Sequence, residues 1–250
     1  MRRAGATSRR RDPAPGFASV TFGRVVLNLR HELVARAPVI ATRLLQWRAH
    51  GAPGLGNRQS GFRVSIGEAP DLFARCARHG GLMRILSDDV FFGLRPRPLS
   101  ELTVAAEAYR RGIAIAEPIG AMVEWLMPGV YRGFFLTRAL DGMSLWEFVR
   151  TDDDPVVRRH VLERTRAAVE TMHQHGLWHA DLNLHNLFVT HRGDEFAVLI
   201  LDLDKARLFD HAVPVALRRR NHARLLRSIR KLDRPGRYFD REALEILRSP

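Results

Sequence analysis

His179-Ala180-Asp181-Leu182-Asn183-Leu184-His185-Asn186, followed by Leu199-Ile200-Leu201-Asp202-Leu203-Asp204, is the stretch on which the reading of this chain turns. An Asp stands five positions before an Asn, and a further Asp closes an apolar, strand-like run. Each residue type suits one task in phosphoryl transfer. Asp181 can accept or orient the proton of an attacking hydroxyl. Asn186 and Asp202 offer hard oxygen donors to Mg2+ carried on nucleotide phosphates.

The segments around this stretch give it a context. Asp154-Pro155 is a helix start, with Pro at the first helical position. Val156, Val161, Leu162, Ala167, Val169 and Met172 follow at helical spacing up to Gly176, a C-terminal glycine. The Asp181 loop comes next. Leu187–Thr190 and Phe196–Leu201 read as a β-hairpin turning at Gly193-Asp194.

Upstream, residues 51–61 form a glycine-rich loop containing Gly54, Gly56 and Gly61, and Phe62–Ile66 alternates as a strand leaving it. Asp71–Arg78 is the next strand. Residues 99–112 read as a helix capped by Ser100, with Leu102, Ala105, Ala106 and Tyr109 on its apolar face. Strands near 121–126 and 131–137 and a short helix over 144–149 complete this part. Residues 17–50 show no clean periodicity.

A last long helix over 214–232 carries Arg218, Arg219, Arg220, Arg224, Arg227, Arg230 and Lys231, and no acidic residue occurs from Ala212 to Leu232. Two readings of it stand side by side: a solvated face, or a surface for an anionic substrate or partner. The order of elements gives an α+β class. It divides into a basic arm over 1–16, expected to be disordered, a β-rich lobe over 17–140 and a mostly helical lobe over 141–250, with a cleft between the lobes.

The formal charge is +13, from 40 basic and 27 acidic residues, which favours anionic partners. Nucleic acid is not expected: no basic stripe is interleaved with aromatics, and there is no zinc-finger spacing or repeat. The single cysteine, Cys76, excludes a disulfide framework and suggests a reducing compartment. No secretory signal is read at the N-terminus, and no apolar run approaches the roughly 20 residues of a membrane span. His179, Asp181 and His185 make a poor metal cluster, because no helical pair of histidines faces a third ligand. His179 is expected to pack and hydrogen-bond beneath the loop, while Asn183 and His185 are candidates for contact with substrate or metal.

The layout resembles the protein-kinase-like fold, and more narrowly the bacterial lipopolysaccharide kinases, with the 3-deoxy-D-manno-octulosonic acid (Kdo) kinases nearest. The resemblance covers roughly residues 50–233. It rests on Gly176 to Asn186, on Leu201-Asp202-Leu203-Asp204-Lys205, on Arg220 to Lys231, and on Arg78-His79-Gly80-Gly81-Leu82 followed by Glu101. It implies that Asp181 is the catalytic base and that Asn186 and Asp202 bind metal. It also implies that Arg75 stands where the fold usually places its phosphate-pairing Lys, with Glu101 as that cation's helix partner. Two departures stand out: Leu203-Asp204 replaces the usual aromatic-Gly pair, and the glycine loop is not a standard G-x-G-x-x-G.

The resemblance implies ATP and Mg2+ as cofactors and a sugar of the lipopolysaccharide inner core as acceptor, with Kdo of Kdo-lipid A foremost. It also implies a peripheral position on the cytoplasmic face of a bacterial inner membrane. The short remainder after Asp204, residues 205–250, has no Ala-Pro-Glu segment and points away from a protein substrate. A phosphotransferase for another small molecule or core sugar is one alternative. A non-catalytic kinase-fold protein that binds anionic membrane is the other.

Overall fold

The computed structural model describes residues 13–50, 61–77, 89–192 and 195–248. Most of the basic arm, Gly54, Gly56, the 78–82 segment and the Gly193-Asp194 turn lie outside the described residues. At the expected end of the arm Ala14 is buried, and its carbonyl accepts from the Phe17 N–H at 3.0 Å.

The weakly patterned residues 17–50 hold four elements. Strands β1 (Phe17–Phe22) and β2 (Val25–Arg30) form a hairpin across Gly23, whose φ of +56° suits a tight turn. A 3-10 turn (His31–Arg36) leads into α1 (Ala37–His50). Strands β3 (Gly61–Ile66), β4 (Ala69–Cys76), β5 (Phe91–Phe92), β6 (Pro118–Met127) and β7 (Val130–Arg138) complete a seven-stranded antiparallel sheet. Its order is β1-β2-β6-β7-β4-β3, with β5 also on β7. One face buries Leu27, Leu29, Leu72, Met122 and Leu136 against Ile40 and Leu44 of α1.

Helix α2 spans Arg97–Arg110, earlier than the expected 99–112, and Ser100 does not cap it. Its N-cap is Pro96, and Pro98 lies in the first turn, where a missing N–H deprives the helix of no bond. The apolar face is Leu102, Ala105 and Ala108, while Tyr109 is exposed. That face packs into the same core as Leu162, Val169, Leu182 and Leu225 from the second half.

The rest of the chain begins with β8 (Gly142–Ser144) and α3 (Leu145–Thr151), whose start Ser144 and Glu147 cap reciprocally. Helix α4 (Pro155–Gln174) follows, then β9 (Leu177–Trp178), β10 (Leu187–Arg192), β11 (Glu195–Ile200) and β12 (Arg207–Leu208). Helices α5 (Val215–Leu232) and α6 (Arg241–Leu247) close the described chain. Strands β11-β10-β8 form one small sheet and β12-β9 another. The class is α+β. No helix among the described residues is long and apolar enough to cross a membrane.

Candidate active site

Helix α4 delivers the chain to the site. Asp154 caps it, its Oδ1 accepting from the Val156 N–H at 2.8 Å. It ends at Gly176, whose φ is +84°. A Cβ there would lie 2.3 Å from the Phe209 carbonyl oxygen, so only glycine fits. Strand β9 follows and the Asp181 loop opens.

His179 organises that loop from beneath. It is fully buried. Its Nδ1 accepts from the Asp181 N–H at 3.0 Å, which leaves the ring proton on Nε2. Nε2–H then donates to the Leu201 carbonyl at 2.9 Å. Burial pushes the imidazole pKa down, so the ring is neutral and acts as a brace.

The loop closes on the Asp181 carbonyl. Asn183 Nδ2 donates to it at 3.0 Å and Asn186 Nδ2 at 2.9 Å. Asn183 Oδ1 in turn accepts from the N–H groups of His185 and Asn186, so this side chain is consumed in the turn. Asn186 keeps its Oδ1 outside any hydrogen bond among the described residues. Its backbone carbonyl accepts from the Leu201 N–H at 2.9 Å. Both main-chain groups of Leu201 are therefore held by the loop, and Asp202 comes next.

Asp202 has a φ of +60°, a left-handed conformation that Asp tolerates better than most residues. Arg75 Nη2 lies 3.2 Å from Asp202 Oδ1 and forms a closer ion pair with Glu101. That 3.2 Å approach is not aligned as a hydrogen bond, and the buried Oδ1 has no hydrogen-bond partner. Asp204 sits 3.9 Å from Arg97 and lines, with Arg75, Glu101 and Phe135, a small cavity between α2 and the sheet.

Glu101, Asp202 and Asp204 face two guanidinium groups. Burial pushes the Glu101 carboxyl up to about 7; Arg75 pulls it down, and Asp202 and Asp204 raise it further. Burial also works against the Arg75 charge, yet the same three carboxylates leave its pKa raised. The unpartnered Asp202 carboxylate oxygen and the free Asn186 amide oxygen fit a hard divalent cation. No group of three His, Cys, Asp or Glu residues able to hold a metal occurs among the described residues.

The structure thus brings Asp181, Asn186, Asp202, Arg75 and Glu101 to one place. It puts Gly61 elsewhere than expected. Gly61 is not in a loop but opens β3, paired across the sheet with Arg75, where a Cβ would meet the Phe73 ring at 2.5 Å. The Phe73 ring and the Ala74 carbonyl, 2.9 Å from such a Cβ, leave little room for a side chain there.

Sequence reasoning missed the inner face of α5. Asn221 is fully buried, and its Nδ2 donates to the His179 carbonyl at 2.5 Å. Its Oδ1 accepts from the His179 N–H at 3.4 Å and from His173 Nε2–H of α4 at 3.0 Å. Ser228 Oγ accepts from the Leu184 N–H at 3.3 Å, and Arg224 Nη1 donates to Asp181 Oδ1 at 3.4 Å. The signal was available: Asn221 precedes Leu225 and Ile229 by four and eight positions, in register with a buried stripe. The arginines on either side masked it. Of the two readings of this helix, neither describes the inner face.

A model of the family described as "Lipopolysaccharide kinase (Kdo/WaaP) family" matches residues 58–243. A 3-deoxy-D-manno-octulosonic acid kinase of Xylella fastidiosa (strain 9a5c) is 32% identical over 192 residues, covering 74% of this chain and 71% of the relative. The protein of the same name from Pasteurella multocida (strain Pm70) is 26% identical over 140 residues, 54% of each chain. Among solved structures, "WaaP in complex with acyl carrier protein" superposes with a TM-score of 0.51 at 17% identity, covering 78% of each chain. At that identity the superposition speaks for the fold alone.

Proposed function

The chain belongs to the lipopolysaccharide kinase (Kdo/WaaP) family and is a lipopolysaccharide sugar kinase, and from that premise we propose that it moves the γ-phosphoryl group of ATP onto a hydroxyl of Kdo in a Kdo-lipid A acceptor. Residues 17–140 form the nucleotide-facing lobe in this reading and residues 141–250 the acceptor-facing one.

Asp181 orients the acceptor hydroxyl and takes its proton. The hydroxyl oxygen forms the new O–P bond as the bond from the γ-phosphorus to ADP breaks. Arg75, braced by Glu101, pairs with nucleotide phosphates. Its planar fork grips two oxygens where a lysine would offer a point charge. Asn186 and Asp202 would hold Mg2+, which would supply charge neutralisation for the transferring phosphoryl group. The peripheral position on the cytoplasmic face of the inner membrane follows from the acceptor and from the basic surface.

One observation carries the reading. The Asp181 loop grips Leu201 on both sides, Asn186 taking its N–H and His179 its C=O, so the base and the Asp202 carboxylate are fixed relative to each other. The test is purified protein with labelled ATP, Mg2+ and a panel of lipid A precursors with and without Kdo. Transfer should require Kdo. Asp181→Asn should retain ATP binding and lose ~10²–10⁴-fold in transfer, the usual range for a general base. Label appearing equally without Kdo, or Asp181→Asn within threefold of wild type, would refute it.

A further inference from the structure

Arg224 projects from the inner face of α5 onto Asp181, with Nη1 3.4 Å from Oδ1. The pair is open to water: the Arg224 side chain is 42% exposed and that of Asp181 65%. An exposed pair of this kind contributes little to stability, roughly 0–1 kcal/mol. It does not hold the loop either, since the main chain of the loop is fixed by Asn221, Ser228 and His179. A guanidinium placed on the candidate base therefore calls for a role in substrate handling.

Two other polar groups of the site are committed. Asn183, two positions on, is spent in the turn. Arg75 is engaged with Glu101 and Asp202. Arg224 is the cation ion-paired with Asp181 among the described residues, and that contact uses one of its five N–H groups. Its planar fork suits a carboxylate taken with two parallel bonds. Because it touches Asp181, any anion it grips lies within a few ångströms of the hydroxyl that Asp181 receives.

Resting on the functional reading above, we infer that Arg224 is the acceptor-recognition residue: it takes a carboxylate borne by the same sugar ring as the reacting hydroxyl. Without acceptor the guanidinium rests on Asp181. When a sugar acid enters, its carboxylate takes over the fork and its hydroxyl takes the vacated Asp181 oxygen. Neutral sugars cannot make this exchange, so the pair selects for acidic acceptors. The carboxylate, rather than a lipid A phosphate, is the group assigned, because the two contacts are side by side and fit one ring.

The test uses the full chain with Arg224→Gln and Arg224→Lys, and with Arg227→Gln as an outward-facing control on the same helix. Acceptor binding without nucleotide is measured beside transfer kinetics. The acceptors are Kdo-lipid A, its carboxyl-reduced analogue, and its form lacking the lipid A phosphates. Arg224→Gln should weaken binding and raise KM for the carboxylated acceptor about 10- to 100-fold, the range of a lost charge-assisted bond. KM for ATP should stay within twofold, and Arg224→Lys should recover part of the loss. Wild type should bind the carboxyl-reduced acceptor as poorly as Arg224→Gln does, and the variant should lose nothing further with it. Removing the phosphates should leave the Arg224 effect unchanged.

The inference is overturned if Arg224→Gln binds the carboxylated acceptor within threefold of wild type, raises KM for ATP instead, or weakens the reduced acceptor equally. It is also overturned if the effect vanishes with the phosphates. Binding that obeys the carboxylate pattern without any transfer would uphold the inference and refute the kinase acceptor reading. Transfer to Kdo without that pattern would do the reverse.

Discussion

Asn221 holds the backbone of His179 by both of its polar groups, donating to the carbonyl at 2.5 Å and accepting from the N–H at 3.4 Å. The residues are 42 positions apart, and the bond joins α5 to the first residue of the Asp181 loop. A side-chain amide here imitates the pairing that a neighbouring strand would provide. His173 shares the same oxygen, so three segments meet on one buried amide.

Asn221→Ala should destabilise the protein by about 3 kcal/mol or more. It strands the His179 N–H and C=O and the His173 ring proton in a buried place, and each unsatisfied group costs roughly 1–3 kcal/mol. Chemical denaturation with matched m-values checks this. A loss under about 0.5 kcal/mol would mean the clamp contributes nothing net.

The His173 ring sets a pH dependence. It is 2% exposed, and burial pushes its pKa down from 6.5 to about 4, with the bond to Asn221 opposing. The unfolded chain therefore binds a proton at pH values where the folded protein does not. Stability from this group is full above pH 6.5 and is lost as pH falls from there toward 4, by on the order of 3 kcal/mol. His173→Gln can still donate to Asn221 but does not titrate. The melting temperature of wild type should fall relative to this variant between pH 6.5 and 4, and parallel curves would remove His173 from the acid response.

Asp202→Asn should impair Mg2+-dependent transfer more than Asp204→Asn, because a neutral amide is a poorer ligand for a hard cation. Asn also tolerates the φ of +60° at position 202, so the fold should survive. Activity titrated against Mg2+ should shift to higher concentration for Asp202→Asn. A larger shift for Asp204→Asn would move the metal to the side chain near Arg97.

Legibility followed the reach of each signal. Helix α4 could be read because Asp154, Pro155 and Gly176 act on their own backbone. Strands β6 and β7 could be read because each is a short, mostly apolar and largely buried run, which is a local signal. Ser100 failed as a cap because Pro96 and Pro98 started the helix earlier, and backbone restriction won over a side-chain bond. β2 escaped although Val25, Leu27 and Leu29 alternate inward, because an apolar Val26 stands at the first outward position, ahead of Asn28 and Arg30. That Gly61 opens β3 was not legible because its pairing with Arg75 is a contact between strands. The proximity of Arg75, Glu101 and Asp202 followed from the family pattern, whereas the roles of Asn221 and Arg224 depended on which face of α5 turns inward. A charge count along that helix could not say.

The bond between residues 179 and 221 also imposes an order on synthesis. Every strand of the large sheet has been made by Arg138, so a growing chain holds that sheet and its α1-covered core early. The loop around Asp181 is made later, yet the His179 carbonyl has no partner until Asn221 is added, and the Leu184 N–H waits for Ser228. A chain that stops between those points has every strand of the large sheet, but the His179 carbonyl and the Leu184 N–H still lack these two partners. The contacts that fix the Asp181 loop therefore come from the last long helix of the described chain to be made.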